Sequence, residues 1–371
     1  VTIKKIHKIL TSVGCFISIR QINRIINDRP DELAQEMEGA RVSGIEKADF
    51  QQIDDTGVKV LEAQGQSVFT TVTCNPFFTN LYTSLSKNRS NAVMALAGGN
   101  KEPLYKMNLH AIIVVYTSLK SFKIQSIIEK YQGEKLYRDK DLDEFFKQEG
   151  FKELKPPILR DIKTAMLVGA FYDGHMGITG SALVSDDAPQ FNNIYDDHML
   201  CWYHELRHYK ELSPVFEQHK LQLRLFFNEA KVMYRTLKDW VQSRDPKIGN
   251  YIFEWFNKYF NQKTGYKLLD TRKTKSLKKI SKLLAPLFTS TKLPLDNNES
   301  ERDLRGRSIK MKISLFDQTW AGAKARDLYI SLKQTCRKNG VSFYQFLLDR
   351  QKRAGIIPQL SQIIESSCPQ H

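Results

Sequence analysis

The clearest strand-forming sequence falls in two stretches of this chain, with residues 91–170 mixed and mostly helical, and that limits its fold more than any other feature. From Phe50 to Ser84, the runs FQQIDDTGVKVLEA, QSVFTTVTC and FFTNLYTSL are rich in Val, Phe and Thr and are separated by Gly, Asn and Pro. This pattern predicts an antiparallel meander. The next strand signal comes only at SALVSDDAPQFN, a short buried strand that ends on two aspartates. Helical periodicity dominates elsewhere, most clearly in DLDEFFKQEGF, LRDIKTAMLVGAFY, KVMYRTLKDWVQ and YIFEWFNKYF. A few strands brought together from distant parts of a mostly helical chain define an α/β protein.

The 371 residues suffice for two or three domains, or for one large domain with insertions. The formal net charge of +15 points to a polyanionic partner, of which nucleic acid is the commonest. The surplus is concentrated: residues 211–290 hold 16 Lys and Arg against 7 Asp and Glu, and include the run TRKTKSLKKISK. One such run is usually a solvated helix face, but the concentration favours a phosphate-binding surface. Five scattered cysteines (Cys15, Cys74, Cys201, Cys336 and Cys368) do not form a disulfide framework and predict a reducing compartment. The longest apolar run, AIIVVY, is far too short to span a bilayer, so no membrane partner is expected. The chain opens on Val1, which leaves room for residues before it.

The first thirty residues read as two short helices. Ile3, Ile6 and Leu10 share one face, Ser12–Gly14 breaks the run, and Ser18 can cap a second helix carrying Ile22, Ile25 and Ile26. Arg20, Gln21, Asn23 and Arg24 would then point outward, as in a helix-turn-helix that enters a major groove or in an ordinary helical hairpin.

Three carboxylates stand out by context. Asp54 lies within a predicted strand, Asp186 ends the strand SALVS, and Glu301 falls in the first turn of a helix begun by DNN. Asn298 and Glu301 also have capping-box spacing, so a purely local role for Glu301 stands beside a chemical one. If the three converged, they could hold two divalent cations about 4 Å apart, which suits in-line phosphoryl transfer. Hard oxygen ligands match Mg²⁺, with Mn²⁺ able to substitute.

DDTGVKV, NRS (Asn88–Ser90), LVSDDAPQF, CWYH, LDNNESERDLR and TCRKNG, in that order, resemble a transposase of the insertion sequence 66 family. The most specific block, LDNNESERDLR, is similar to that family's D-N-N-x-x-E-R-x-x-R. The resemblance implies an RNase-H-like core with a mixed sheet flanked by helices, and DDE chemistry with Asp54, Asp186 and Glu301 as catalytic acids and Mg²⁺ ligands. Asp54 is preferred over Asp55 as the leading acid of an acid-acid-Thr run, and Asp186 over Asp187 because Phe191 follows it by five residues. The resemblance further implies a helix-turn-helix at 1–46, a core split between 47–200 and 295–335, a helical basic insertion at 201–294 and a C-terminal helical segment at 336–371. Expected DNA contacts are Arg20, Arg24, Arg272, Lys273, Lys275, Arg302, Arg305 and Lys312, with Cys201, His204 and Arg207 as supporting residues. The implied partner is double-stranded DNA, at transposon ends and target, bound by a homodimer or larger oligomer in a prokaryotic cytoplasm at the nucleoid. The family's N-terminal coiled and cysteine-rich segments are not seen here, as in a fragment or a shorter subtype.

Two other readings compete. CWYHELRHY contains H-E-x-x-H, which in a zinc peptidase would supply His204 and His208 as ligands and Glu205 as base, with Glu229 as third ligand. That reading explains neither the basic insertion nor the DNNESER block. A DNA-binding regulator derived from a transposase, with its catalysis lost, would retain the same basic surfaces.

Overall fold

A computed structural model of the chain describes residues 3–26, 30–99, 101–119, 121–289 and 292–367. Cys368 and residues 1–2 and 27–29 of the expected helix-turn-helix segment lie outside these. The N-terminal apolar spacing yields α1 (Ile3–Ser12) and α2 (Ile19–Ile26). Ser18 starts the second as expected: Gln21 N donates to Ser18 Oγ at 3.1 Å, and Ser18 N donates to the Gln21 side chain at 3.1 Å, a reciprocal capping box. Ile22 is buried, while Arg20, Gln21, Asn23 and Arg24 are exposed. Helix α3 (Pro30–Ala48) follows.

The predicted strand block becomes β1 (Phe50–Val58), β2 (Val68–Cys74) and β3 (Thr79–Ser84). Next come α4 (Arg89–Leu96), β4 (Leu104–Lys106), α5 (Leu109–Ser118), α6 (Phe122–Glu129), β5 (Leu136–Arg138), α7 (Asp139–Phe145) and α8 (Pro156–Tyr172). The isolated strand signal gives β6 (Ala182–Ser185), and β7 (Asp197–Leu200) follows it. Helices α9 (Trp202–Lys210), α10 (Glu217–Ser243), α11 (Pro246–Asn261), α12 (Lys267–Leu277) and α13 (Ile280–Leu283) precede α14 (Asn298–Ser314), α15 (Trp320–Lys338), α16 (Phe343–Lys352) and α17 (Leu360–Ser366).

The main sheet has the order β3-β2-β1-β6-β7 and is mixed. Strands β2 and β3 pair antiparallel from Phe69 opposite Ser84 to Cys74 opposite Thr79, whereas β1–β6 and β6–β7 are parallel. Strands β4 and β5 form a separate antiparallel pair.

The chain divides into two compact units. The first comprises Val1–Ala48, Asp54–Thr179 and Glu299–His371. One of its cores joins Leu33, Met37, Ala40 and Ile45 of α3 to Leu332 and Cys336 of α15, Phe346 of α16, and Leu360 and Ile364 of α17. The C-terminal helices expected as a separate segment at 336–371 thus pack on α3, and α3 runs across the expected boundary at residue 46.

In the same unit α15 closes the exposed edge of β3. Leu81 N donates to Ser331 Oγ at 2.9 Å, Thr79 N donates to Thr335 Oγ1 at 3.1 Å, and the Asp327 carboxylate accepts from the backbone and side chain of Thr83. The spacings match, because four helical residues rise about 6.0 Å and two strand residues about 6.8 Å. Asp327, Ser331 and Thr335 therefore meet every second strand N–H, and the helix replaces a neighbouring strand along an edge that would otherwise invite pairing with another chain.

The second unit comprises Asp49–Ile53 and Gly180–Asn298. Its helices pack around aromatic side chains: Phe256 stacks on Phe260 with centroids 4.0 Å apart, and Tyr209 on Phe226 at 4.3 Å. Phe256 and Phe260 come from the amphipathic run YIFEWFNKYF that predicted a helix.

Candidate functional site

Within the first unit, β1 carries the Asp54–Asp55 pair, and strand alternation sends the two side chains to opposite faces. Asp55 is buried and pairs with Lys87 Nζ at 2.8 Å. Asp54 is half-buried, and one carboxylate oxygen accepts the Asp55 N–H at 2.8 Å. Glu301 lies on α14, whose buried face is Ser300, Asp303, Leu304 and Arg307. At 100° per residue, Glu301, Arg305 and Lys312 share one flank of that helix, and Arg302 faces away from the core. Arg302, Arg305 and Lys312 are exposed, and Glu301 is half-buried. Asn298 is the first helical residue, so Glu301 is fourth and sits one place beyond the capping-box position. Cys74 at the end of β2 links these elements: burial pushes its thiol pKa well up, and Glu299, Asp303 and Asp54 each add to the rise. Asp54 and the start of α14 therefore share one electrostatic neighbourhood.

Two buried polar anchors hold α14 in this unit. Asp303 accepts from Thr79 Oγ1 at 2.5 Å and pairs with Lys338 at 2.8 Å and Arg337 at 3.0 Å. Arg307, fully buried, pairs with Asp317 at 2.6 Å and Asp327 at 3.3 Å, and donates to Thr70 Oγ1 at 3.2 Å. Burial pushes the Asp327 carboxyl up to about 6, against the pull of Arg307.

In the second unit, Asp186 follows directly on β6. Its carboxylate accepts the Ala188 N–H at 3.1 Å, which closes a turn, whereas Asp187 is paired with Lys279. A buried relay steadies this turn. Lys282 Nζ donates to His198 Nδ1 at 3.2 Å, and burial followed by Lys282 pushes the imidazole down to about 3, so it is neutral. The ring proton is then on Nε2, which faces Ser185 Oγ at 2.8 Å, and the serine hydroxyl donates to Asp186 O at 2.5 Å. Sequence reading missed His198, Lys282, Asp303, Arg307 and Lys338. The family-like TCRKNG block was the signal that could have pointed to Lys338.

The CWYH segment opens α9, with Cys201 at its N-cap. Burial pushes the Cys201 thiol up to about 11, and its sulfur faces backbone N–H groups of His204, Tyr203 and Asn297. Trp202 N donates to Leu295 O at 2.9 Å, and its indole N–H to Leu283 O at 2.8 Å. The motif thereby holds the LDNN segment against the end of β7. His204 is half-buried and Arg207 exposed. Glu205 is buried and committed to Arg272 at 2.6 Å, Ser276 at 2.5 Å and Lys279 at 3.7 Å. Glu229 accepts the Trp255 indole N–H at 2.7 Å, and His208 faces Glu211 at 3.6 Å. The side chains a zinc peptidase would need as base and third ligand thus hold helices together.

The same contacts redistribute the basic surface. Arg272 is tied to Glu205, and Lys273 is buried with its ammonium on Gln262 O at 2.6 Å, so these two serve the interior of the unit. Lys275 remains exposed. A clearer stripe runs along α10, where Arg224, Lys231, Arg235 and Lys238 are all exposed. Their spacing keeps them within one narrow face over about 21 Å, a length that matches roughly six base pairs of duplex.

Among the described residues no group of three or more His, Cys, Asp or Glu side chains is gathered as a metal-holding set. No helix among them is long and apolar enough to cross a membrane.

Comparison with known proteins agrees with the motifs. The chain is 28% identical over 309 residues to the uncharacterized protein y4jO of Sinorhizobium fredii, covering 83% of this chain and 93% of that one. No solved structure matches. Residues 164–325 match the family described as Transposase IS66 family, a stretch that contains Asp186 and Glu301 and begins after Asp54. Over those residues the chain is similar to transposases of the IS66 family.

Proposed function

We propose that the protein is a DNA transposase that hydrolyses and transfers strands at transposon ends, with Asp54, Asp186 and Glu301 as its catalytic acids. The family match carries this reading. The mixed sheet supports an RNase-H-like core, with β1 in the middle, parallel to β6 on one side and beside the β2–β3 pair on the other. Of the doubled aspartates, Asp55 pairs with Lys87 and Asp187 with Lys279.

The donor set is chemically right for Mg²⁺, since all three groups are carboxylates. Two such ions would activate a water or 3′-hydroxyl and stabilise the leaving oxygen. The chain's own residues bind and orient. Arg305, four residues beyond Glu301 on the same flank, is suited to hold a substrate phosphate. The α10 stripe, with Lys275, Arg302 and Lys312, neutralises backbone phosphates, and Arg20 and Arg24 present a second basic face on α2. Paired transposon ends call for a homodimer or larger assembly on DNA.

The test is a plasmid carrying the ends of the element that encodes the protein, incubated with protein and Mg²⁺. Cleaved and strand-transferred products are expected, abolished by Asp54→Asn. Tight end binding with no product under any divalent ion would instead identify a DNA-binding regulator.

A further inference from the structure

The R-K-N-G sequence that ends α15 makes contacts out of proportion to its length. Lys338 is buried, with only 6% of its side chain exposed. Its ammonium meets Glu299 at 2.9 Å and Asp303 at 2.8 Å, and donates to Asn75 O at 2.7 Å and Phe78 O at 3.0 Å. Arg337 takes the other oxygen of Asp303, and Asn339 donates to Phe77 O at 2.7 Å. Gly340, at φ +68°, ends the helix in a left-handed turn. The motif thus grips two things at once, the β2–β3 turn and the first turns of α14.

We propose that Lys338 is a positioning residue for the third catalytic acid, fixing the rotation of α14 so that Glu301 presents its carboxylate for metal binding. This rests on the reading of Glu301 given above. Glu299 and Asp303 are four residues apart and lie side by side on one flank of α14. Glu301 lies between them in sequence and on the opposite flank. A rigid helix gripped at 299 and 303 cannot roll without moving Glu301. Two carboxylates and two carbonyls around one ammonium also satisfy its charge and donors without calling on Glu301. Burial alone would lower the lysine pKa, but the Glu299 and Asp303 carboxylates beside it hold it above its usual range.

Lys338→Met would strand two acids and weaken the fold, so the informative variant adds Glu299→Gln and Asp303→Asn. This triple variant neutralises the cluster but leaves α14 without its clamp. The readouts are end-DNA affinity in Ca²⁺, melting temperature, and the Mg²⁺ concentration for half-maximal cleavage. The expected result is unchanged DNA affinity with a Mg²⁺ midpoint raised about tenfold or more, as for loss of a group that orients a metal ligand. Lys338→Arg, which keeps the charge, should fall between. A triple variant with the parent's midpoint, or one that loses DNA affinity in step with cleavage, overturns the proposal. Glu301→Gln is run in parallel. If it cleaves like the parent, the assignment of Glu301 falls and takes this proposal with it; if it is inactive while the clamp variants match the parent, the clamp alone is refuted.

Discussion

Asp327 offers a quantitative prediction about stability. Its carboxyl is fully buried between Arg307 and the Thr83 end of β3, and burial raises it from 3.8 to about 6. A raised carboxyl pKa means that the folded state holds its proton more tightly than the unfolded chain does. The group therefore favours folding when protonated, and that contribution is lost as pH rises from the unfolded value through the folded one. The loss between about pH 4.5 and about pH 7.5 amounts to about 2 kcal/mol. Asp327→Asn removes the titration while keeping an acceptor for Thr83. Urea unfolding of parent and variant at both pH values isolates the term. The parent should lose about 2 kcal/mol more than the variant over this interval. Equal pH dependence in the two proteins would show that Arg307 keeps Asp327 ionised throughout, and the reasoning would fail.

Other expectations follow from single contacts. Ser331→Ala leaves the Leu81 N–H buried without its acceptor and should cost about 1–3 kcal/mol by thermal or urea melting, with a greater tendency to self-associate through β3. Glu205→Ala leaves the half-buried Arg272 without its buried partner and should destabilise the second unit by about 3 kcal/mol, with the zinc content of the purified protein unchanged. Zinc lost on His204→Ala would revive the peptidase reading. Arg235→Ala should weaken DNA binding similarly on all sequences and reduce the slope of log affinity against log salt by about 1. An unchanged slope would remove the α10 stripe from the interface.

The sequence showed a good deal of this architecture and concealed the parts that depend on long-range contact. Alternating Val, Phe and Thr gave the β2–β3 pair, and the 3.6-residue periodicity of KVMYRTLKDWVQ and YIFEWFNKYF gave α10 and α11, because those signals are local. The strands β4, β5 and β7 were not foreseen, since three or four residues carry too weak an alternation. The D-x-x-x-S-x-x-x-T spacing on α15 looks like an ordinary polar stripe until the edge of β3 lies beside it. Charge counting found the basic region but not its face: TRKTKSLKKISK is the denser run, yet Arg272 and Lys273 turn inward to Glu205 and Gln262. The α10 cations are diluted among apolar residues and share a face only once the helix is formed. Likewise H-E-x-x-H was legible as a motif, while the partners that give Glu205 and Glu229 structural roles lie far away in the chain.

The central claim is that one acid of each doubled pair, together with Glu301, performs strand cleavage. It is tested most directly by single-turnover cleavage of labelled end DNA in Mg²⁺, comparing Asp54→Asn with Asp55→Asn and Asp186→Asn with Asp187→Asn, beside Glu301→Gln. The account predicts losses on the order of a thousandfold or more for Asp54, Asp186 and Glu301, with DNA binding intact, and much smaller losses for the two lysine-paired neighbours. Full activity in Asp54→Asn, Asp186→Asn or Glu301→Gln would contradict it.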